Sequence, residues 1–391
     1  EVLRGLSVDE LVGLVSGRDL WHNHGVPRLG IPPLRFTDGP FGARGVEDGG
    51  PPSALTPCGA ALGALWDVEL LGQLGCLLGE EARRKGAHIL LGPTVNLHRV
   101  PTAGRHFECL SEDPFLTARL AVAYIGGVQG QGVGCCVKHL VANDQERARM
   151  AVSAEVSEEA LRLLHLRPFE AAVREGRVLS VMTGYNRLNG TFCSENRWLL
   201  EQVLRTEWGF EGLVVSDWFG AHSTEGCLHA GLDVEMPGWP AGMSYGPALR
   251  SAVEEGRVPR ELLVRRARTV LRVMERLGLL RPGAREQEGA ASRNTEGQRA
   301  LLHRAAAESA VLLKNAGGAL PLPARCSVAV ISPAGEELEW MWGAAKREGD
   351  DYREGGDILA GAMIFPQISW RLFLSHCVPG PPAGPRTCRR S

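Results

Sequence analysis

The sequence predicts an α/β fold: a (β/α)8 TIM-like barrel followed by the incomplete start of an α/β sandwich domain. Three observations carry that prediction. Short apolar runs alternate with amphipathic stretches, the pattern of a parallel sheet with helical crossovers. The alternation holds for about 280 residues, a length that suits an eight-stranded barrel better than a single doubly wound sheet. Asp38, Lys138, His139, Tyr185 and Asp217 each fall at the carboxyl end of a predicted strand, and in a barrel those ends share one mouth.

Taken in order, Ser7 to Ser16 reads as an amphipathic helix, with Ser7 as N-cap and Glu10 at the third position. Leu34 to Thr37 is β-prone and ends at Asp38-Gly39-Pro40. A helix follows from Asp67 to Lys85, then a strand from Ala87 to Leu91 that stops at Gly92-Pro93. An irregular stretch carries Asn96, Arg99, Arg105 and Glu108. Ser111 to Gln129 reads as helix, with Pro114 tolerated in the first turn. Gly134 to Val137 is a strand ending at Lys138-His139, and a charged loop runs from Asn143 to Arg149. Ser157 caps a predicted helix to Glu175, and Val178 to Met182 is a strand ending near Tyr185. A helix from Asn196 to Trp208 leads into the strand Leu213 to Ser216. Asp217 and Trp218 follow, an acid and a flat aromatic of the kind that line a sugar site. Alone, Asp217 reads more readily as a helix cap, and the rest of the chain reverses that preference. Ala230 to Glu235 is the last strand expected, and two helices close the region at Gly278.

Residues 1–280 are therefore expected to form the barrel domain and 281–300 a linker. Residues 301–335 would begin the second domain, with a helix from Arg299 to Leu313 and a strand from Ser327 to Ile331. Residues 336–391 lose periodicity and read as a divergent, disordered tail.

A net charge of −2 gives no electrostatic case for nucleic acid or an anionic membrane, and no apolar run spans a bilayer. The first residues, Glu1-Val2-Leu3-Arg4, do not read as a signal peptide. Ten cysteines without a Cys-x-x-Cys pair favour a reducing compartment, while the sequon Asn189-Gly190-Thr191 points the other way, so localisation stays open. No cofactor is implied, since the histidines and cysteines show no metal-ligand spacing. Gly242-Met243-Ser244-Tyr245-Gly246 matches a serine-nucleophile pattern but lacks a strand before it, and the glycines at 130–134 precede a strand rather than a helix.

Several blocks, in order, resemble the family 3 glycoside hydrolases, the β-glucosidase group, with spacing closest to the members that carry a PA14 domain. They are Thr37-Asp38-Gly39-Pro40, Gly92-Pro93-x-x-Asn96-x-x-Arg99, Gly104-Arg105 with Phe107-Glu108, and Lys138-His139-x-x-x-Asn143-Asp144. Met182-Thr183-Gly184-Tyr185-Asn186, Val215-Ser216-Asp217-Trp218, Gly231-Leu232-Asp233-x-Glu235 and Glu308-Ser309-x-Val311-Leu312-Leu313-Lys314-Asn315 follow. The resemblance covers about residues 5 to 335 and implies hydrolysis of terminal β-D-glucosyl residues with retention, through two carboxyl groups. It implies Asp217 as nucleophile, held ionised by Lys138 and Arg105, and Asp38 as the acceptor for hydroxyls at the far side of the ring. Arg105, Lys138 and His139 would hold the remaining hydroxyls. Met182 and Tyr185 would wall the nucleophile, and Trp218 would lie beside the sugar. The partner is a small glucoside or oligosaccharide; oligomeric state is left open.

In that family the general acid usually comes from the second domain. No matching glutamate block occurs in residues 336–391, so a truncated or aberrantly ended member lacking its acid is expected. A catalytically impaired sugar-binding remnant is the alternative. Single-domain N-acetylglucosaminidases, which follow Lys-His with a Gly-His-Gly pattern, are set aside because Leu140-Val141-Ala142 stands there.

Overall fold

The computed structural model describes residues 2–45, 51–238, 243–281 and 292–323. The expected strand at 327–331, the tail and half of the expected linker lie outside the described residues. The first helix, α1 (Val8–Val15), starts at a complete capping box: Ser7 Oγ accepts from Glu10 N at 3.2 Å and Glu10 Oε2 accepts from Ser7 N at 2.8 Å. β1 (Phe36–Thr37) leads through α2 (Gly59–Ala64) to α3 (Val68–Arg84), capped by Asp67, and then β2 (Ile89–Leu90). α4 (Pro114–Gln129) starts later than the expected Ser111 and is capped by Asp113, because Pro114 at the first helical position needs no hydrogen-bond partner there.

β3 (Gly134–Leu140) is buried throughout, and β4 (Ser153–Ala154) follows. The expected helix from Ser157 to Glu175 is three pieces: α5 (Glu158–Ala160), a π-helical turn (Leu161–His165) and α6 (Arg167–Arg174). Pro168 has no N–H for the carbonyl of Leu164 and its ring crowds it, so the chain widens one turn earlier. β5 (Ser180–Thr183), β6 (Arg187–Leu188), β7 (Thr191–Phe192), a π-helical segment (Trp198–Glu207) and β8 (Leu213–Val215) come next. α7 (Thr224–Ala230) takes up the start of the strand expected at 230–235. Gly231, at φ 124°, breaks away from it, and Val234 makes one parallel bridge to Val215. α8 (Pro247–Glu254) and α9 (Arg260–Arg276) close the region, with Gly278 in the left-handed conformation after α9.

The strands β1-β2-β3-β5-β8 form one parallel sheet in that order. The ring closes through short bridges rather than regular strands. Val234 pairs with Val215, Glu235 with Ser16, Gly17 with Asn23, and His22 with Arg35 beside β1. The segment from Ser16 to Asn23, which the sequence does not mark as a strand, thus joins the two edges of the sheet. α3 and α4 pack outside at van der Waals range through glycines; a Cβ on Gly127 would stand 2.2 Å from the Gly72 carbonyl.

α10 (Glu296–Glu308) begins at a second capping box, Thr295 with Gln298, and buries Leu302 and Ala305 in the same core as the barrel. It starts earlier than the expected Arg299 and stops before Leu313. Val311, Leu312 and Leu313 are exposed, so no packing among the described residues holds them helical. Of the cysteines described, six are buried, Cys76 is exposed, and all are free thiols.

Candidate active site

Parallel strands deliver their carboxyl ends to one mouth, and Asp38, Lys138, His139, Tyr185 and Asp217 stand there. β3 pairs with β5 through Val137, then slips register before Leu140. Across that irregularity two successive residues both serve the mouth. Lys138 reaches Asp38 and His139 reaches Arg105 and Asp217. Arg105 arrives from the loop after β2.

Asp217 is 7% exposed. Its Oδ1 accepts from the Trp218 N–H at 2.7 Å, whereas Oδ2 is buried and has no hydrogen-bond partner. The His139 Nε2 atom lies 3.5 Å from Oδ2. Burial raises the Asp217 carboxyl above the ordinary carboxylate range, and the opposing pull of Arg105, Lys138, the Trp218 N–H and the Tyr185 phenol does not cancel it. The cations act in the direction expected from sequence, but desolvation outweighs them.

Lys138 Nζ donates to Asp38 Oδ1 at 2.9 Å. The lysine is 5% exposed and the aspartate 32%, so the pair sits at the boundary between core and mouth. Burial acts to raise Asp38, yet the Lys138 charge and hydrogen bond hold it below the usual range. Burial likewise acts to lower Lys138, and Asp38 keeps it raised.

Arg105 Nε pairs closely with Glu108, whose second oxygen accepts from Thr94 Oγ1 at 3.0 Å. Arg105 is therefore held from behind by a structural carboxylate. Despite burial, its guanidinium is raised by Glu108 and Asp217. His139 is 2% exposed, and burial together with Arg105 and Lys138 keeps it neutral far below its ordinary value. Burial and the Asp217 charge push the Tyr185 phenol up; Arg149 covers its ring at 4.8 Å. Met182, 1% exposed, belongs to the barrel interior.

Trp218 donates from its indole to the Leu20 carbonyl at 2.9 Å, with ring centroids 5.6 Å from Trp21 and 6.3 Å from Phe36. Trp21 was not marked by sequence; an aromatic beside a future bridge carries no local signal. Asn96 was also missed in its role. It bonds both backbone groups of His139. The loop residues outside the centre are tied to one another, Arg99 to Asp144 at 2.6 Å and Arg149 to Glu146 at 3.0 Å.

Two further carboxylates near a strand end are structural. Asp233 accepts from Val214 N at 2.8 Å and pairs with Arg205, and Glu235 accepts from Ser244 N and Tyr245 N at 2.8 and 2.5 Å. Ser244, the centre of the serine-nucleophile pattern, spends its hydroxyl on the Ala221 carbonyl. Among the described residues no group of His, Cys, Asp and Glu is arranged to hold a metal, and no helix is long and apolar enough to cross a membrane.

Comparison with known proteins bears on the fold and the family. Residues 24–273 match the Glycosyl hydrolase family 3 N terminal domain. A Beta-glucosidase of Rhizobium radiobacter is 48% identical over 353 residues, covering 89% of this chain and 42% of that protein. A Probable beta-glucosidase J of Aspergillus fumigatus is 50% identical over 316 residues, covering 81% of this chain and 36% of the relative. Among solved structures, a Beta-glucosidase from Kluyveromyces marxianus in complex with glucose superposes with a TM-score of 0.77 at 39% identity. The match covers 82% of this chain and 39% of that one. Beta-glucosidase 3B from Thermotoga neapolitana in complex with glucose gives 0.76 at 38% identity, covering 82% and 48%. The chain thus spans about two-fifths of the length of these curated relatives. With the family pattern matched over most of its length and the parallel barrel in place, the chain belongs to glycosyl hydrolase family 3.

Proposed function

We propose that the described residues form the sugar-holding half of a retaining β-glucosidase site, with Asp217 as nucleophile. The observation that carries this is the asymmetry of the Asp217 carboxylate: one oxygen is anchored by the Trp218 N–H, while the other is buried without a hydrogen-bond partner, 3.5 Å from the His139 ring. An oxygen with no donor keeps its lone pairs for the anomeric carbon. Oδ2 forms an ester bond to that carbon as the bond to the aglycone oxygen breaks. The leaving oxygen takes a proton from an acid or departs as a stable anion. Water then cleaves the ester and the configuration is retained.

Asp38, accessible at the mouth and kept ionised by Lys138, suits the acceptance of two sugar hydroxyls. Trp218, partly exposed beside Trp21, offers an apolar face to the ring. The glucose complexes of the structural neighbours support glucose as the glycone. Among the described residues the carboxylates around Asp217 are already engaged, Asp38 with Lys138, Glu108 with Arg105 and Glu146 with Arg149. General acid help is worth about 10²–10⁴ in rate. Turnover by these residues is therefore expected to favour aglycones that leave without a proton.

The test is a 2-fluoro-glucoside with a dinitrophenolate leaving group, followed by mass mapping of the labelled peptide. The expected adduct is on Asp217; an adduct on another carboxylate removes the assignment. The pH dependence of labelling has a definite sign. Since burial raises Asp217, its reactive ionised form is lost as pH falls through a value above the ordinary carboxylate range of about 4. The acid limb of the labelling rate should lie correspondingly high; a limb at or below 4 contradicts the burial argument. Replacing Asp38 by Ala should weaken glucose binding about 10–100-fold, the value of hydrogen bonds to a charged acceptor, as read by calorimetry.

A further inference from the structure

Asn96 brackets the backbone of His139. Its side chain accepts from His139 N–H at 2.9 Å and donates to the His139 carbonyl at 2.9 Å. A peptide N–H can only donate and a carbonyl can only accept, so the amide orientation follows from the two partners. The same Asn96 oxygen lies 3.3 Å from His139 Nδ1, which must therefore carry the hydrogen. On the opposite side, Arg105 Nη2 lies 3.0 Å from His139 Nε2. A guanidinium has no lone pair to offer, so Nε2 must be the acceptor. Two independent neighbours thus select one tautomer, Nδ1–H with a bare Nε2. That bare nitrogen faces Asp217 Oδ2 at 3.5 Å, which explains why Oδ2 has no hydrogen-bond partner there.

We propose that Asn96 is a positioning residue for the Asp217 carboxylate. By holding His139 in its Nδ1–H form, it turns an acceptor toward Arg105 and keeps Asp217 Oδ2 free of any donor from the imidazole. The opposite tautomer would aim an N–H at Oδ2, compete with Arg105, and tie up the lone pairs that attack. Neutrality of the ring is required for this, and burial beside Arg105 and Lys138 supplies it. His139 then acts with both ring nitrogens already committed.

The inference rests on Asp217 as nucleophile, and its test separates the two ideas. Long-range ¹H–¹⁵N spectra of the full chain, with His139 identified by its loss in His139→Gln, should show a protonated Nδ1 and an unprotonated Nε2. Asn96→Asp puts a carboxylate on Nδ1 and should place hydrogens on both nitrogens. At saturating 2-fluoro-glucoside, the labelling rate constant of Asn96→Asp should fall about 10–100-fold, as misdirected catalytic geometry does, and by more than glucose affinity falls. A wild-type His139 carrying Nε2–H overturns the proposal, as does Asn96→Asp labelling at the wild-type rate. Should the variant not fold, the wild-type spectrum still decides the tautomer. If the spectrum is as stated but no label reaches Asp217, the nucleophile assignment fails instead.

Discussion

Asp217→Asn should reduce labelling by activated glucosides at least about 10⁴-fold, the scale of losing the attacking group from a covalent mechanism. The same variant should fold and melt no lower than the parent at pH 7. The reason is the direction of the carboxyl's shift. A group whose folded value is raised contributes stability that is present below its unfolded value and lost as pH rises through the folded one. Asp217 is raised by burial, so at neutral pH its charge opposes folding, and a neutral amide of the same shape relieves that. Arg105 keeps Glu108 as counterion in the variant. Thermal melts at pH 5 and pH 7 check the stability half, and the gain should be larger at pH 7. An Asn variant that melts well below the parent at both pH values would mean that Asp217 is mainly a structural anchor.

Arg266→Leu should have the largest effect on stability, about 3–5 kcal/mol, the cost of breaking a buried ion pair from one side. Arg266 is 2% exposed. It donates to Glu201 at 2.6 Å and to the Leu228 carbonyl at 3.2 and 3.0 Å, and stands 3.9 Å from Asp233. Asp233 is fully buried, and its Oδ1 has no hydrogen bond. Burial already raises Asp233 against the pull of Arg205 and Arg266. Losing Arg266 raises it further and leaves the Leu228 carbonyl without its donor. The deficit should shrink as pH falls, because protonation of Asp233 removes the uncompensated charge. Asp233→Asn in the Arg266→Leu background should restore part of the loss, read by denaturant titration as a double-mutant cycle. Strict additivity of the two changes would show that they do not share one network. The effect reaches the mouth through β8, since Asp233 accepts from Val214, three residues before Asp217.

Local chemistry made much of this legible. Ser-x-x-Glu before an apolar stripe marked α1, and both halves of its capping box are present. Asp67 marked the start of α3, and β-prone runs ending in polar residues marked β1, β3, β5 and β8. Element boundaries failed at a few particular residues. Pro168 forced a π-helical turn into a segment that reads as one continuous helix. Gly231 ended a helix where an apolar run suggested a strand. Leu313, apolar and apt for a helix, covers nothing among the described residues and stays out.

Residue identity alone marked the runs that became β1, β2, β3, β5 and β8 and the polar residues Asp38, Lys138 and Asp217 at their ends, because period and turn residues act over a few positions. Arg105 and the roles expected of these groups came only with the family resemblance. Closure of the ring by Ser16 to Asn23, the seating of Trp218 against Trp21, and the bracket that Asn96 throws around His139 required the folded chain. So did the sign of the Asp217 shift. A sequence lists the cations near a carboxylate, but how much water the fold removes from it depends on every element packed around it, and here that removal outweighs the cations.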